Sequence, residues 1–355
     1  MSDGMQEPRS GSRVPPFPVP GWLHTGVDRV RTAWARFQAW RTPVMDRWLA
    51  AVIVTVSLIF LGALLVGKWA EVAPYLREMQ GGLLVAAVGA TFAALILGGF
   101  LWHFVQKALG VGLGWRTSLA VHFSSTITKY MPGYGWQYMA KAYLSKRGNH
   151  QAKRVGLAMM TELGILIMVG LILAGLVGGR LGRQWVVGDI LPSWGWYLVA
   201  IGAAATGLVW VGFLNRSTRP ARKQISYSAL TYSVLMAMIG WTFQILAVWL
   251  IARALYPIGL EAFPQMLFAL VLSSIVSILV IVVPGGIGVR EMTLTLLLAD
   301  ILPLSLGGVV AVMVRLALVV AELVLFGAII LGQRLGLADP RHDESQISPP
   351  KVGNE

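Results

Sequence analysis

Residues Pro284-Gly285-Gly286-Ile287-Gly288-Val289-Arg290-Glu291 interrupt one of the most apolar stretches of this chain, Phe268 to Leu298. Proline removes a helical hydrogen bond and glycine accepts positive φ, so a helix entering this segment is expected to break. Broken backbone is tolerated at membrane depth only where protein buries it or it lines a watery cavity. Charges at such a break are costly, so an Arg-Glu pair there marks a candidate site. A second interruption of the same kind, Lys129-Tyr130-Met131-Pro132-Gly133-Tyr134-Gly135-Trp136, falls in the first half. Two matched interruptions, one per half, are the pattern of a repeat-built transporter whose binding site lies at the breaks.

The membrane setting follows from composition. Of the 355 residues, 56% are hydrophobic and 13% are charged, against about 25% charged in soluble proteins. Mean hydropathy is +0.68. No soluble domain is expected. The Pro-, Arg- and Gly-rich start does not read as a signal peptide. The absence of cysteine excludes disulfides, thiolate catalysis and thiolate metal sites. A net charge of +13 in a chain this apolar reads as basic loops at an anionic leaflet, with no nucleic-acid partner.

The fold class is therefore all-α, a polytopic membrane helix bundle. Six stretches meet the requirement of roughly 20 apolar residues for a span: about 49–67, 82–105, 155–178, 194–214, 228–252 and 306–332. The stretches 117–145 and 264–302 read instead as two shorter apolar arms around a Pro-Gly corner, which predicts two re-entrant hairpins. Within the second, 265–283 is also long enough to cross fully. Residues 1–20 are expected to be a disordered tail and 335–355 another. Between them, 21–47 carries Leu23, Val27, Val30, Trp34 and Phe37 at helical spacing, with arginines elsewhere. That predicts an amphipathic helix, lying in the membrane interface or against the cytoplasmic face of the transmembrane domain, 48–334.

Basic clusters at Arg29 to Arg47 and at Arg216 to Lys223 are assigned to the cytoplasm, and Lys141, Lys146, Arg147, Lys153 and Arg154 form a third basic cluster. Each half then holds span, span, hairpin, span. Three full spans per half is odd, which makes the halves an inverted-topology repeat with both termini cytoplasmic. Ser124-Ser125 ahead of Pro132-Gly133 and Ser273-Ser274 ahead of Pro284-Gly285 are its faint sequence echo.

The candidate substrate-binding residues are the polar groups at these breaks and in the spans beside them. Arg290 follows the second break, where unpaired N–H groups and the dipole suit a phosphate that a guanidinium can grip bidentately. Gly285, Gly286 and Gly288 would let backbone approach a headgroup closely. Alternatively Arg290 pairs with Glu162 or Glu322 and locks the hairpin. Glu291 is expected to point elsewhere, capping the half-helix or neutralising a neighbour. Lys129 is the counterpart of Arg290, or snorkels to the interface. Glu162 lies inside its span as a proton-coupling residue or a counter-ion to Lys129. Arg315 and Glu322 share one face of the last span. Tyr130, Tyr134, Trp136, Gln137 and Tyr138 surround the first corner, either at a sugar or acyl-chain portal or in an interface belt. His103 and His122 read as satisfied polar residues without metal-ligand spacing. Ser124, Ser125, Thr126 and Thr128 are expected to satisfy freed carbonyls, and Gly170, Ala174 and Gly178 to pack helices. No catalytic residue, metal or cofactor is assigned, and no phosphate-loop or nucleophile-elbow motif supports ATP-driven pumping.

Lys129-Tyr130-x-Pro132-Gly133 with Trp136, the stretch Leu144-Ser145-Lys146-Arg147-Gly148, and Pro284-Gly285-Gly286-x-Gly288-x-Arg290-Glu291 together resemble the lysylphosphatidylglycerol synthase/flippase transmembrane family, over about residues 45–335. The resemblance implies movement of a phospholipid or polyprenyl-phosphate-linked sugar between leaflets of the inner (plasma) membrane. Bifunctional members add a soluble aminoacyl-transferase domain, for which the tail here is too short, so the translocation half of the activity is expected. Tails of the lipid would stay in the bilayer while the headgroup binds near Lys129 and Arg290. The alternatives are an integral-membrane headgroup transferase and a non-catalytic partner of a glycosyltransferase. A homodimer is a further possible assembly.

Overall fold

The computed structural model describes residues 66–130, 136–145, 152–181, 191–218, 225–280 and 286–335, with isolated positions before them. The two tails, the segment 21–47, most of the first expected span and both Pro-Gly corners (131–135 and 281–285) lie outside the described residues. Every regular element described is helical. The helices are α1 (Trp69–Arg77), α2 (Gly81–Ala108), α3 (Trp115–Ile127), α4 (Trp136–Ser145), α5 (Ala152–Leu181), α6 (Ser193–Thr218), α7 (Tyr227–Leu255), α8 (Phe263–Leu279), α9 (Val289–Leu297) and α10 (Leu304–Arg334). Short 3₁₀ turns extend α3 (Thr128–Tyr130) and lead into α8 (Leu260–Ala262).

Six of these segments are long and apolar enough to cross a membrane: Gly81–Ala108, Lys153–Arg180, Ser193–Ser217, Tyr227–Leu255, Leu260–Leu279 and Leu304–Gly332. Five coincide with expected spans. Leu260–Leu279 is the first arm of the second expected hairpin, and its 20 residues are enough for a full crossing. The 13 residues of α3 are not: at 1.5 Å per residue they reach about 20 Å against a hydrocarbon core of about 30 Å. The two interrupted segments therefore differ in the length of their first arm.

Both helix breaks are present. Helix ends at Ile127 and resumes at Trp136, and ends again at Leu279 and resumes at Val289. Each break is prepared by a pair of hydroxyls on one carbonyl. Ser125 and Thr126 both donate to the His122 carbonyl, at 2.9 and 2.7 Å. Ser273 and Ser274 both donate to the Leu270 carbonyl, at 2.9 and 2.7 Å. Such back-bonding competes with the helical ladder and bends the helix ahead of the corner.

The packing repeats across the halves. Helices α2 and α7 form the central pair; α5 packs on α8, and α10 packs on α3. Thus the last long helix of each half lies against the broken segment of the other. One core cluster joins α7, α8, α9 and α10 through Ile251, Met266, Leu270, Leu294 and Leu306. A second holds Trp102 of α2 against Ala158 and Ile165 of α5. Small residues let α5 approach closely: a side chain at Gly170 would meet Val271 and Trp241, and one at Gly178 would meet Trp196 and Phe268. Large apolar side chains such as Ile201, Leu208 and Val209 on α6 remain exposed. Side chains of this kind on span-length helices suit a hydrocarbon solvent.

Candidate functional site

Lys129 and Tyr130 sit in the 3₁₀ turn that ends the first arm. Thr128 closes that turn by donating to the Ser125 carbonyl at 2.7 Å. Both neighbours face α10: Lys129 Nζ forms an ion pair with Glu322 Oε1, and the Tyr130 hydroxyl donates to Glu322 Oε2 at 2.8 Å. Glu322 is 2% exposed, so a lone carboxylate there would be strongly penalised. Two donors on its two oxygens resolve that penalty.

The second break is built differently. Gly286 and Gly288 have φ of 64° and 87°, a region that other L-residues reach only with strain. A side chain at Gly286 would also run into the Ser277 hydroxyl. Backbone conformation thus requires both glycines, and contact with α8 is a second constraint at Gly286. Glu291 closes the start of α9, its Oε2 accepting from the Gly288 N–H at 2.6 Å. Its Oε1 lies 3.7 Å from Arg315 Nε of α10. Glu291 therefore caps the half-helix and neutralises a neighbour at once. The Gly288 N–H, one of the donors that a bound phosphate would have used, is already taken by the chain's own carboxylate.

Arg290 differs from Lys129 and Arg315 in having no ion pair among the described residues. Its Nε is buried and has no hydrogen-bond partner among the described residues. Neither Glu162 nor Glu322 forms an ion pair with it there, although Glu291, Glu322 and Arg315 all lie within electrostatic range. Arg315 also stands over the Tyr130 ring, 5.5 Å from its centroid, and Lys129 does so at 5.1 Å. Lys129, Arg290 and Arg315 gather with Glu291 and Glu322, so that among these five charged groups, drawn from both breaks and the last helix, cations outnumber carboxylates by one.

Glu162 belongs to a second cluster. The expected pairing with Lys129 is replaced by one with Lys141 of α4, whose Nζ reaches both carboxylate oxygens at 2.7 and 2.6 Å. His122 Nδ1 lies 3.5 Å from the same carboxylate, and Lys141 sits 4.0 Å from the centroid of the Trp102 ring. Lys141 is 2% exposed, which sets it apart from the basic cluster that it opens in the sequence. The physical reason is that α4 is inside out. Tyr138, Met139, Tyr143 and Leu144 point outward, while Lys141 and Ser145, one turn apart, are buried. That four-residue polar spacing among aromatics was the available sequence signal for Lys141. His103 is also satisfied, by Ser118 at 3.1 Å.

A cavity of about 250 Å³ lies beside Arg290, walled by α2, α5, α7 and α8 with Leu318 of α10. Of the residues singled out from sequence, the structure thus brings together Lys129, Tyr130, Arg290, Glu291, Arg315 and Glu322, and places Glu162 apart with Lys141. Trp136 opens α4 at 40% exposure on the outer side. Pro132, Gly133, Pro284 and Gly285 lie outside the described residues. Among the described residues no three His, Asp or Glu side chains converge as metal ligands would.

Span-length apolar helices, two interrupted segments and a buried cluster of cations and carboxylates define a multi-pass membrane protein. The family model described as lysylphosphatidylglycerol synthase TM region matches residues 48–325, and the chain belongs to this family. Comparison with curated proteins finds no match.

Proposed function

We propose that this protein moves a phosphate-bearing lipid, a phospholipid or a polyprenyl-phosphate-linked sugar, between the leaflets of the plasma membrane without changing it covalently. The observation that carries this reading is the cationic excess at the breaks. Lys129 pairs with Glu322 and Arg315 with Glu291, whereas the buried Arg290 Nε, beside a cavity, has no hydrogen-bond partner among the described residues. A phosphate entering there supplies the missing counter-charge, and a guanidinium can hold it through two parallel hydrogen bonds. Because the neighbouring pairs are neutral in sum, the site attracts one anionic charge and gains nothing from a neutral headgroup.

The reading includes an inverted-topology arrangement with both termini in the cytoplasm. It is supported by the reciprocal packing of α5 on α8 and α10 on α3, which sets the broken segment of each half against the other half, as a repeat-built transporter does. Purified protein in liposomes should accelerate exchange of a fluorescent anionic phospholipid, followed by dithionite quenching of the outer leaflet. A parallel arm uses a polyprenyl-phosphate sugar. The lipid should be recovered chemically intact. Release or replacement of the headgroup would make the protein a transferase instead. Neither exchange nor turnover in both arms would leave the role of membrane partner to a glycosyltransferase.

A further inference from the structure

The cavity beside Arg290 has a wall that is chemically lopsided. Most of it is hydrocarbon, including Leu101, Leu166, Met236 and Ile278. Its polar members are Arg290, Gln244, Ser274 and Trp241. Two of these have already spent their donors within the protein: the Ser274 hydroxyl on the Leu270 carbonyl at 2.7 Å, and the Trp241 indole N–H on the Leu166 carbonyl at 3.2 Å. The other two have not. Arg290 Nε and Gln244 Nε2 are both buried, and neither has a hydrogen-bond partner among the described residues.

Buried donors demand acceptors. Water is a poor answer. By volume the cavity would take about eight molecules at roughly 30 Å³ each, but each needs two to four polar partners that this wall does not offer. A free inorganic anion is equally poor, because most of its surface would face hydrocarbon. An occupant that suits the wall combines an apolar chain with an oxygen-rich anionic end. We infer that the cavity holds one hydrocarbon chain segment of an anionic amphiphile, with its acceptor oxygens on Arg290 Nε and Gln244 Nε2. The same volume matches a chain segment of about eight groups at roughly 30 Å³ each. This inference rests on the translocation reading and alters one part of it. Part of the tail travels inside the protein, instead of remaining wholly in the bilayer as the sequence suggested. It also makes Gln244 a specificity-determining residue.

Trp241 lines the cavity and serves as the reporter. A decyl phosphate brominated in mid-chain, titrated onto the full-length protein in maltoside detergent, should quench a saturable fraction of tryptophan fluorescence. That fraction should vanish in Trp241→Phe. Gln244→Leu, similar in size but without a donor, should weaken binding at least tenfold while its melting temperature stays near that of the wild type. The equally brominated alcohol should bind at least tenfold more weakly, and inorganic phosphate should not compete. Quenching that persists in Trp241→Phe, equal binding of the alcohol, or displacement by inorganic phosphate would each overturn the inference. Ala94→Phe, which fills the cavity, separates the two proposals. Wild-type lipid exchange in that variant removes the chain site and leaves translocation standing. Cavity binding without lipid exchange in the wild type does the reverse.

Discussion

The two interrupted segments share a plan and differ in what they do with it. Each sets two hydroxyls on one carbonyl near the end of its first arm, Ser125 and Thr126 in one case, Ser273 and Ser274 in the other. After that they diverge. The first break spends its cations: Lys129 on Glu322, and Lys141 of its second arm on Glu162. The second break spends its carboxylate, with Glu291 bridging the Gly288 N–H and Arg315, and leaves Arg290 beside a cavity with a nitrogen that has no partner among the described residues. The contrast teaches that a broken helix supplies either a lock or a binding group, according to whether its charges find partners inside the protein. Symmetry of the backbone does not impose symmetry of role.

The largest effect should come from the most deeply buried lock. Lys141→Met strands Glu162, and loss of one partner of a buried pair costs about 3–5 kcal/mol. Thermal melting in detergent should show a large drop, and the double variant Lys141→Met with Glu162→Leu should recover most of it. Failure of the double variant to recover would mean that Lys141 stabilises mainly through the Trp102 ring. Next comes Glu322→Gln, which leaves Lys129 without its counter-charge while an amide oxygen still faces Tyr130. Loss of a charge-assisted bond of this type costs about 1.5–3 kcal/mol, read from the same melts. A cost near zero would show that the first break is not locked through α10.

Gly286→Ala acts on the second break. It forces a side chain into a left-handed conformation at about 1–2 kcal/mol and against the Ser277 hydroxyl. Adding Ser277→Ala should relieve only the contact and leave the conformational cost. Full recovery would mean that the glycine is there for space alone. The smallest stability effect is expected at Arg290. Arg290→Gln removes a charge with no ion pair among the described residues and lowers the repulsion on Arg315, so the melt should move by less than about 1 kcal/mol.

Much of this architecture could be read from the chain. Long apolar runs such as 228–252 and 306–332 appear as α7 and α10 because roughly 20 apolar residues have few other stable uses. Both breaks were visible because Pro-Gly sequences cannot continue a helix. What escaped was the identity of the partners. Sequence leaves Glu162 either a proton-coupling residue or a counter-ion to Lys129, but pairing depends on which helices pack, and α10, carrying Glu322, lies on the first break. Lys141 was hidden in sequence by its nearness to Lys146 and Arg147, since a run of basic residues looks like a loop; only the burial of Lys141 within α4 sets it apart. Gln244 gave no signal at all. A single amide in a long apolar helix is distinguished only by the cavity beside it. The first arm of the second break was ambiguous in sequence for a simple reason of length, and α8 with its leading turn is long enough to cross.

The central claim is that the second break binds while the first break locks. Arg290→Gln and Glu322→Gln, reconstituted side by side and assayed for anionic-lipid exchange and for melting temperature, test it most directly. The account predicts that Arg290→Gln loses exchange at least tenfold with its melt near wild type, that Arg290→Lys is also impaired because a point charge cannot replace a guanidinium fork, and that Glu322→Gln loses stability first. Wild-type exchange by Arg290→Gln, or misfolding of that variant rescued by a charge swap with Glu322, would contradict it.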